Sequence, residues 1–371
     1  MGASQGGLGP SQAASPPMQP STKTATSTVF RFRHLPQLDG FRGLAVLMVV
    51  VGHWFHYGIR KSILQGLGIV LEDLGVFLFF VLSGFLITSL LFRERTDSGG
   101  ISLRKFYIRR ALRLGPALLL FLAAVVILMS VRAIIDIPRY EVVASLFYGR
   151  NFFGKSDSLA HLWSLSLEEQ FYLCWPLLFS VLPLRRSLST IAVITGVITI
   201  WRGVAMHFHL LESNAGAYYM RPYFRFDSIL IGACLALAVV SNGKYFEWVQ
   251  TATRNIPAGL LWVLLLAWSA MVSISNPVYL TVQEIVIVIL LAQIIAGASV
   301  SSVTLFEWPV LTYLGKISYS LYLWQQLFLV TKEPSWGVLR QFPLNLAIPI
   351  ALSVVSFHFI ETPALRLKER F

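Results

Sequence analysis

Apolar runs of about 20 residues recur along this 371-residue chain, separated by short connections rich in arginine. A helix rising 1.5 Å per residue needs about 20 such residues to cross the hydrocarbon of a bilayer. A single segment can satisfy its own backbone there only as a helix. Hydrophobic residues make up 56% of the chain and charged ones only 13%, which excludes an ordinary soluble domain. The runs fall at about 41–59, 74–92, 114–135, 170–184, 188–206, 226–241, 256–275, 279–298, 309–330 and 342–360. They predict an all-α polytopic membrane protein with about ten transmembrane helices.

Ten crossings put both termini on one side. With the N-terminus inside, 19 of the 30 basic residues fall on the cytoplasmic side, so both termini are expected to be cytoplasmic. The formal charge of +12 is spread over the connections and serves topology and an anionic ligand better than nucleic acid; no nucleic-acid partner is expected. Residues 1–34, dominated by Ser, Pro, Gln, Ala and Thr, read as a disordered cytoplasmic tail ahead of a membrane domain over 35–367. Cys174 and Cys234 both lie in apolar runs and do not suggest a disulfide framework.

The stretch Leu38 to Tyr57, LDGFRGLAVLMVVVGHWFHY, carries one cation near its start, Arg42, and one imidazole deep inside, His53. Eleven positions are about three helical turns, so both side chains share a face roughly 16 Å apart along the axis. If Arg42 marks a membrane surface, His53 lies near the bilayer midplane. An ionisable group there marks a functional site or a histidine hydrogen-bonded to a neighbouring helix. His56, one turn further out, is expected to tolerate replacement.

The densest positive cluster is SLRKFYIRRALRLGPAL. Arg109, Arg110 and Arg113 are spaced so that Arg113 shares a helical face with either neighbour. They serve as a positive-inside anchor or, since planar guanidiniums suit bidentate phosphate binding, as a grip on a polyphosphate. The second run carries Ser83 and Gly84, which permit close helix approach. Before the fourth run, SLAHLWSLSLEEQFYLCW gathers Trp163, Ser166, Glu168, Glu169, Gln170 and Tyr172, a density of polar and aromatic groups suited to a ligand wall. His207 and His209 stand near Glu212 without a third ligand at a convincing spacing, so no metal is expected. Glu361, before Pro363 and a basic tail, reads as the end of the tenth helix.

Together these motifs resemble the acyltransferase-3 family of multi-spanning membrane O-acyltransferases over about residues 35–367. LDGFRGLAVLMVVVGHW matches its arginine–ten residues–histidine motif at Arg42 and His53. FFVLSGFLIT matches its second-helix signature, and FYIRRALRLGPAL its double-arginine motif at Arg110 and Arg113. HLWSLSLEEQFYLCWPLL matches the block around Glu168 and Gln170, while LGKISYSLYLW and FIETPALRL match its C-terminal pattern. The resemblance implies a multi-pass enzyme of the cytoplasmic membrane. It would move an acyl group, usually acetyl from acetyl-CoA, onto a hydroxyl of a cell-surface glycan or glycoside.

Two departures stand out. Many members carry histidine after SYSLYLW, where this chain has Gln325, and the chain shows none of the fused C-terminal hydrolase-like domain that some members carry. Transfer would then be finished by the membrane domain or by a separate partner.

The residue chemistry and the resemblance meet in one expected site. Arg42, Arg110 and Arg113, with Arg109, hold the phosphates of acyl-CoA, and the pantetheine arm runs along the first helix to His53. His53 acts there as general base or acyl carrier, with Arg42 and Glu168 as its catalytic companions. Trp163, Ser166, Gln170, Tyr172 and Ser83 line the acceptor's path. A transporter or flippase of sugar or lipid intermediates would also place ionisable groups at mid-membrane, and stands as the alternative.

Overall fold

The computed structural model of the protein describes residues 1–3, 35–59, 63–134, 137–210, 220–240, 244–253, 255–271, 277–296, 304–331 and 334–368. Beyond its first three residues, the expected tail over 1–34 lies outside them, as do Glu212 and its connection. The described residues form helices joined by short turns, with no strand among them.

Each of the ten apolar runs is helical over most of its described length. In chain order the helices are α1 (Pro36–Gly58), α2 (Ile63–Ser98), α3 (Leu103–Ser130), α4 (Arg139–Leu146), α5 (Leu162–Val181), α6 (Leu184–His207) and α7 (Pro222–Val240). Then follow α8 (Lys244–Thr253), α9 (Ala258–Met271), α10 (Pro277–Ala296), α11 (Pro309–Leu329), α12 (Leu344–Ser356) and α13 (Thr362–Lys368). Among the described residues, seven helical segments are long and apolar enough to cross a membrane. They lie in α1, α2, α3, α6, α7, α10 and the continuous stretch Leu344–Leu367. The shorter α9 is apolar throughout, whereas α5 and α11 reach 20 and 21 residues but interrupt their apolar sequence with polar side chains. Those side chains belong to the site described below. The short α4 and α8 have no apolar run to announce them in the sequence.

Local chemistry sets several helix ends. Pro36 opens α1, where a missing N–H costs nothing, and Asp39 sits in its first turn, where the helix dipole favours an anion. The 36 residues of α2 make it about 54 Å long, well beyond the hydrocarbon thickness, and its last turns, residues 93–98, are polar. Glu361 does not end a helix as its proline-flanked sequence suggests. A π-helical turn, Phe357–Glu361, joins α12 to α13 and folds Glu361 inward, where it is buried and accepts a hydrogen bond from Ser320 Oγ.

The helices pack at close crossings. A side chain at Gly84 of α2 would strike the Ile229 carbonyl of α7, and one at Gly315 of α11 would strike the Asp39 carbonyl of α1. Two backbones approach this closely only where a Cβ is absent. The α1–α2–α11 group is thereby fixed at the centre, with Phe41, Leu74, Phe77 and Phe85 fully buried around it.

A buried ionic network ties α6, α7 and α10 together. Arg202 Nη1 lies 2.6 Å from Asp227 Oδ2 and also donates to the Phe224 carbonyl at 3.0 Å, while its Nη2 donates to Thr281 Oγ1 at 3.0 Å. Thr199 donates to Asp227 and Ser228 to Glu284, which lies 3.9 Å from Arg225. Arg225 in turn covers the Phe77 ring of α2 at 4.4 Å. Four charges so enclosed balance one another and lock three helices in register.

Candidate active site

A cavity of about 660 Å³ opens among α1, α2, α3, α5, α11 and the Phe357–Glu361 turn. Its wall carries five cations, Arg42, Arg93, Arg110, Arg113 and Lys316, against three carboxylates, Asp39, Glu168 and Glu361. Arg42, Arg110 and Arg113 come from two different helices, yet they are close enough to feel one another's charge. Arg110 is held rigidly. Its Nε and Nη2 donate to Glu169 Oε1 at 3.0 and 2.7 Å, and its guanidinium lies 3.6 Å over the Tyr172 ring. Arg42 and Arg113 form no salt bridge with a described residue. Neighbouring guanidiniums without carboxylate partners favour an incoming anion. Arg109 is absent from the wall and instead pairs with Glu94 at 3.1 Å.

The expected ligand wall divides in two. Ser83, Glu168 and Tyr172 line the same cavity as the arginines, and Ser83 Oγ donates to Glu168 Oε1 at 2.6 Å. Trp163, Ser166 and Gln170 face away from it. Trp163 packs edge-on against Phe80 at 5.9 Å, and Ser166 accepts the Arg150 N–H at 3.2 Å. Gln170 donates to the Tyr148 carbonyl at 2.7 Å and exchanges hydrogen bonds with Asn151. Ser166 and Gln170 hold the connection before α5, whereas Trp163 packs α5 against α2. The division follows the helical period: 163, 166 and 170 share one face of α5, whereas 168 and 172 share the opposite one.

His53 lies outside the cavity wall. Its Nδ1 is 2.8 Å from Gln325 Oε1, so the residue standing where many family members have histidine touches His53 directly. Its Nε2 is 3.6 Å from Glu72 Oε2. The path from Arg42 along α1 is filled by Val46 and Val50, packed with Leu321 and Phe79. The cavity climbs instead between α2 and α5 and ends at Ser164, Phe79 and Tyr322. Tyr322 donates to the His161 carbonyl at 2.9 Å, its oxygen lies 2.5 Å from Ser164 Oγ, and its ring meets Phe79 edge-on at 6.4 Å. Beyond this closure stands His53, which Gln325 touches through Oε1 while its Nε2 reaches toward the Tyr322 carbonyl at 3.5 Å. Among the described residues no group of three or more His, Cys, Asp or Glu side chains is arranged to hold a metal.

Glu72 lies outside the quoted motifs, and Glu169, Lys316 and Tyr322 stand inside them without an assigned role. Glu169 adjoins the singled-out Glu168, but nothing local tells that it, rather than Glu168, holds Arg110. Glu72 meets His53 and His56 across the α1–α2 pair, Tyr322 meets Ser164 and His161 from a distant helix, and Lys316 reads as one more topological cation.

Fold and site define a polytopic helical membrane protein with a cation-lined internal cavity. The chain belongs to the acyltransferase-3 family, whose acyltransferase domain matches residues 35–360. A Staphylococcus aureus (strain COL) protein provisionally named O-acetyltransferase is 30% identical over 369 residues, covering 90% of this chain and 58% of its own. The Bacillus subtilis (strain 168) protein YrhL, provisionally named a peptidoglycan O-acetyltransferase, is 29% identical, covering 89% of this chain and 55% of its own. The Listeria monocytogenes peptidoglycan O-acetyltransferase OatA is 28% identical, covering 91% of this chain and 57% of its own. The chain thus spans little more than half the length of these relatives. No solved structure matches it.

Proposed function

We propose that the protein transfers an acyl group, acetyl first among the candidates, from acyl-CoA to a hydroxyl of a cell-surface glycan. The observation that carries this reading is the cavity itself: Arg42 and Arg113, without a salt bridge to a described residue, beside the Glu169-held Arg110 at one end, and a hydroxyl-lined closure with His53 behind it at the other. Coenzyme A is too polar to cross a bilayer, so Arg42, Arg110, Arg113 and Lys316 hold its phosphates at the cytoplasmic face. The thioester arm follows α2 and α5 rather than α1, and Tyr322 swings from Phe79 to admit it to His53. His53 takes the proton of the attacking hydroxyl as general base or carries the acyl group itself. Glu168 faces the arm from the cavity wall. The relatives named peptidoglycan O-acetyltransferases make the glycans of the cell envelope the first acceptors to try.

The same reading places the protein in the cytoplasmic membrane, with ten crossings and both termini inside. Reporter fusions near Ser158 and at the C-terminus test that topology, and an outside signal from the C-terminus overturns it. The activity is tested with protein reconstituted in vesicles: acetyl-CoA is expected to lose its acetyl group in the presence of glycan, and His53→Gln to stop this. Glycan or lipid movement without thioester cleavage establishes a transporter instead.

A further inference from the structure

His53, Glu72 and His56 form a second polar cluster, apart from the arginine-lined cavity, where α1 ends and α2 begins. Their side chains are 14%, 16% and 24% exposed, so the cluster is reachable rather than sealed. His56 Nδ1 grips both Glu72 oxygens, at 3.0 and 3.1 Å, and Gln65 Nε2 donates to the His56 carbonyl at 3.3 Å. The Glu72 carboxylate is therefore pre-oriented on one flank.

On the other flank it faces His53 across 3.6 Å, beyond hydrogen-bond length. Gln325 turns its amide nitrogen to the Tyr322 carbonyl and its oxygen to His53 Nδ1, so that ring nitrogen must donate. A neutral His53 then presents the lone pair of Nε2 to the carboxylate. Two acceptors face each other, and no described residue places a donor between them. A ligand offering two hydroxyls on adjacent carbons supplies a donor to each. The Tyr57 ring, 5.9 Å from the His53 ring and 4.2 Å from that of His56, adds a flat apolar surface beside the gap.

We propose that Glu72 is an acceptor-binding residue: it takes a hydrogen bond from one hydroxyl of a vicinal pair on a saccharide while the other points its proton at His53 Nε2. This rests on the acyl-transfer reading and gives that reaction its acceptor class, a sugar with neighbouring free hydroxyls. In the direct route, the proton passes to Nε2, the hydroxyl oxygen bonds to the acyl carbon and the carbon–sulfur bond breaks. The departing thiolate then takes the proton from the imidazolium. Glu72 takes no part in the proton's path, and His56 is a positioning residue rather than an idle neighbour.

The test uses the full chain in vesicles, acetyl-CoA as donor, and envelope glycan purified from a host strain lacking the gene as acceptor. Glu72→Gln loses the charge-assisted contact and is expected to raise KM for glycan at least about tenfold. CoA binding should stay within about twofold of wild type, since Glu72 lies outside the arginine-lined cavity. His56→Leu should raise the same KM, and His56→Gln, which keeps an N–H donor, should restore it. An unchanged KM in Glu72→Gln means that only water occupies the gap, and overturns the proposal. So does a fall in kcat at constant KM with a displaced pH–rate profile, because Glu72 then acts only on the charge of His53. Should Glu72→Gln fail to fold, Glu72→Asp and His56→Leu decide by the same KM criterion. Wild-type protein that cleaves neither acetyl-CoA nor a longer acyl-CoA with this glycan refutes acyl transfer itself, a result distinct from any KM change in a variant.

Discussion

The Gln325 amide oxygen stands 2.8 Å from Nδ1 of His53, joining residues 272 positions apart in the sequence. The glutamine does more than fill a histidine's place: with its amide oxygen on Nδ1 it favours the tautomer that carries the proton there. A glutamine at position 53 keeps a hydrogen bond to Gln325 but has no basic nitrogen near neutral pH. His53→Gln is therefore expected to lower transfer at least about a hundredfold, the scale of general-base catalysis, with CoA binding nearly intact. Turnover near the wild-type rate would show a purely structural hydrogen-bonder.

The donor end separates the three adjacent arginines. Arg110→Ala and Arg113→Ala each lose a phosphate contact worth roughly 1.5–3 kcal/mol, about ten- to a hundredfold in CoA affinity. Arg113→Lys should recover little, because lysine lacks the planar fork. Arg109 pairs with Glu94 off the cavity, so Arg109→Ala should bind CoA almost normally. Isothermal titration with CoA ranks the variants, and equal binding by all of them leaves the cluster a topological anchor.

The helices and the shared face of Arg42 and His53 were legible in the sequence because both follow from one period and one length scale. A span needs contiguous apolar residues, and eleven positions bring a helix back to the same face. The wall around Trp163 was only half legible: its residues are neighbours in sequence but lie on opposite faces of α5. Treating the segment as a helix from Leu162 would have divided it correctly. What could not be read is the meeting of separate helices. Ser83 with Glu168, His53 with Gln325, and Glu361 with Ser320 are fixed by close crossings and by a π-helical turn that leaves no local mark.

The network around Arg202 makes a prediction about stability alone. Arg202 and Asp227 are both fully buried, so removing one leaves the other charged in an apolar interior. Asp227→Ala is expected to cost about 3–5 kcal/mol, whereas replacing both by apolar residues of similar size should recover much of the loss. Thermal unfolding in detergent checks this. A single variant as stable as the wild type would show that the charges are not sealed from water.

The last prediction concerns acid. Glu141, on the connection between α3 and α5, is almost wholly buried, which by itself pushes its carboxyl pKa upward. Hydrogen bonds from Ser156 Oγ at 2.6 Å, Lys155 N at 2.9 Å and Ser156 N at 3.0 Å outweigh burial, aided by Arg150 at 3.6 Å, and hold it below the ordinary carboxylate range. A depressed carboxyl stabilises the fold fully above its unfolded pKa of about 4.3, and that contribution fades as pH falls through the lower folded value. Glu141→Gln should therefore be less stable than wild type at neutral pH, and the difference should shrink on acidification below about pH 4. Melting temperatures measured from pH 7 down to pH 3 test the sign. A gap that stays constant or widens in acid would show that the buried carboxylate is not what anchors this connection.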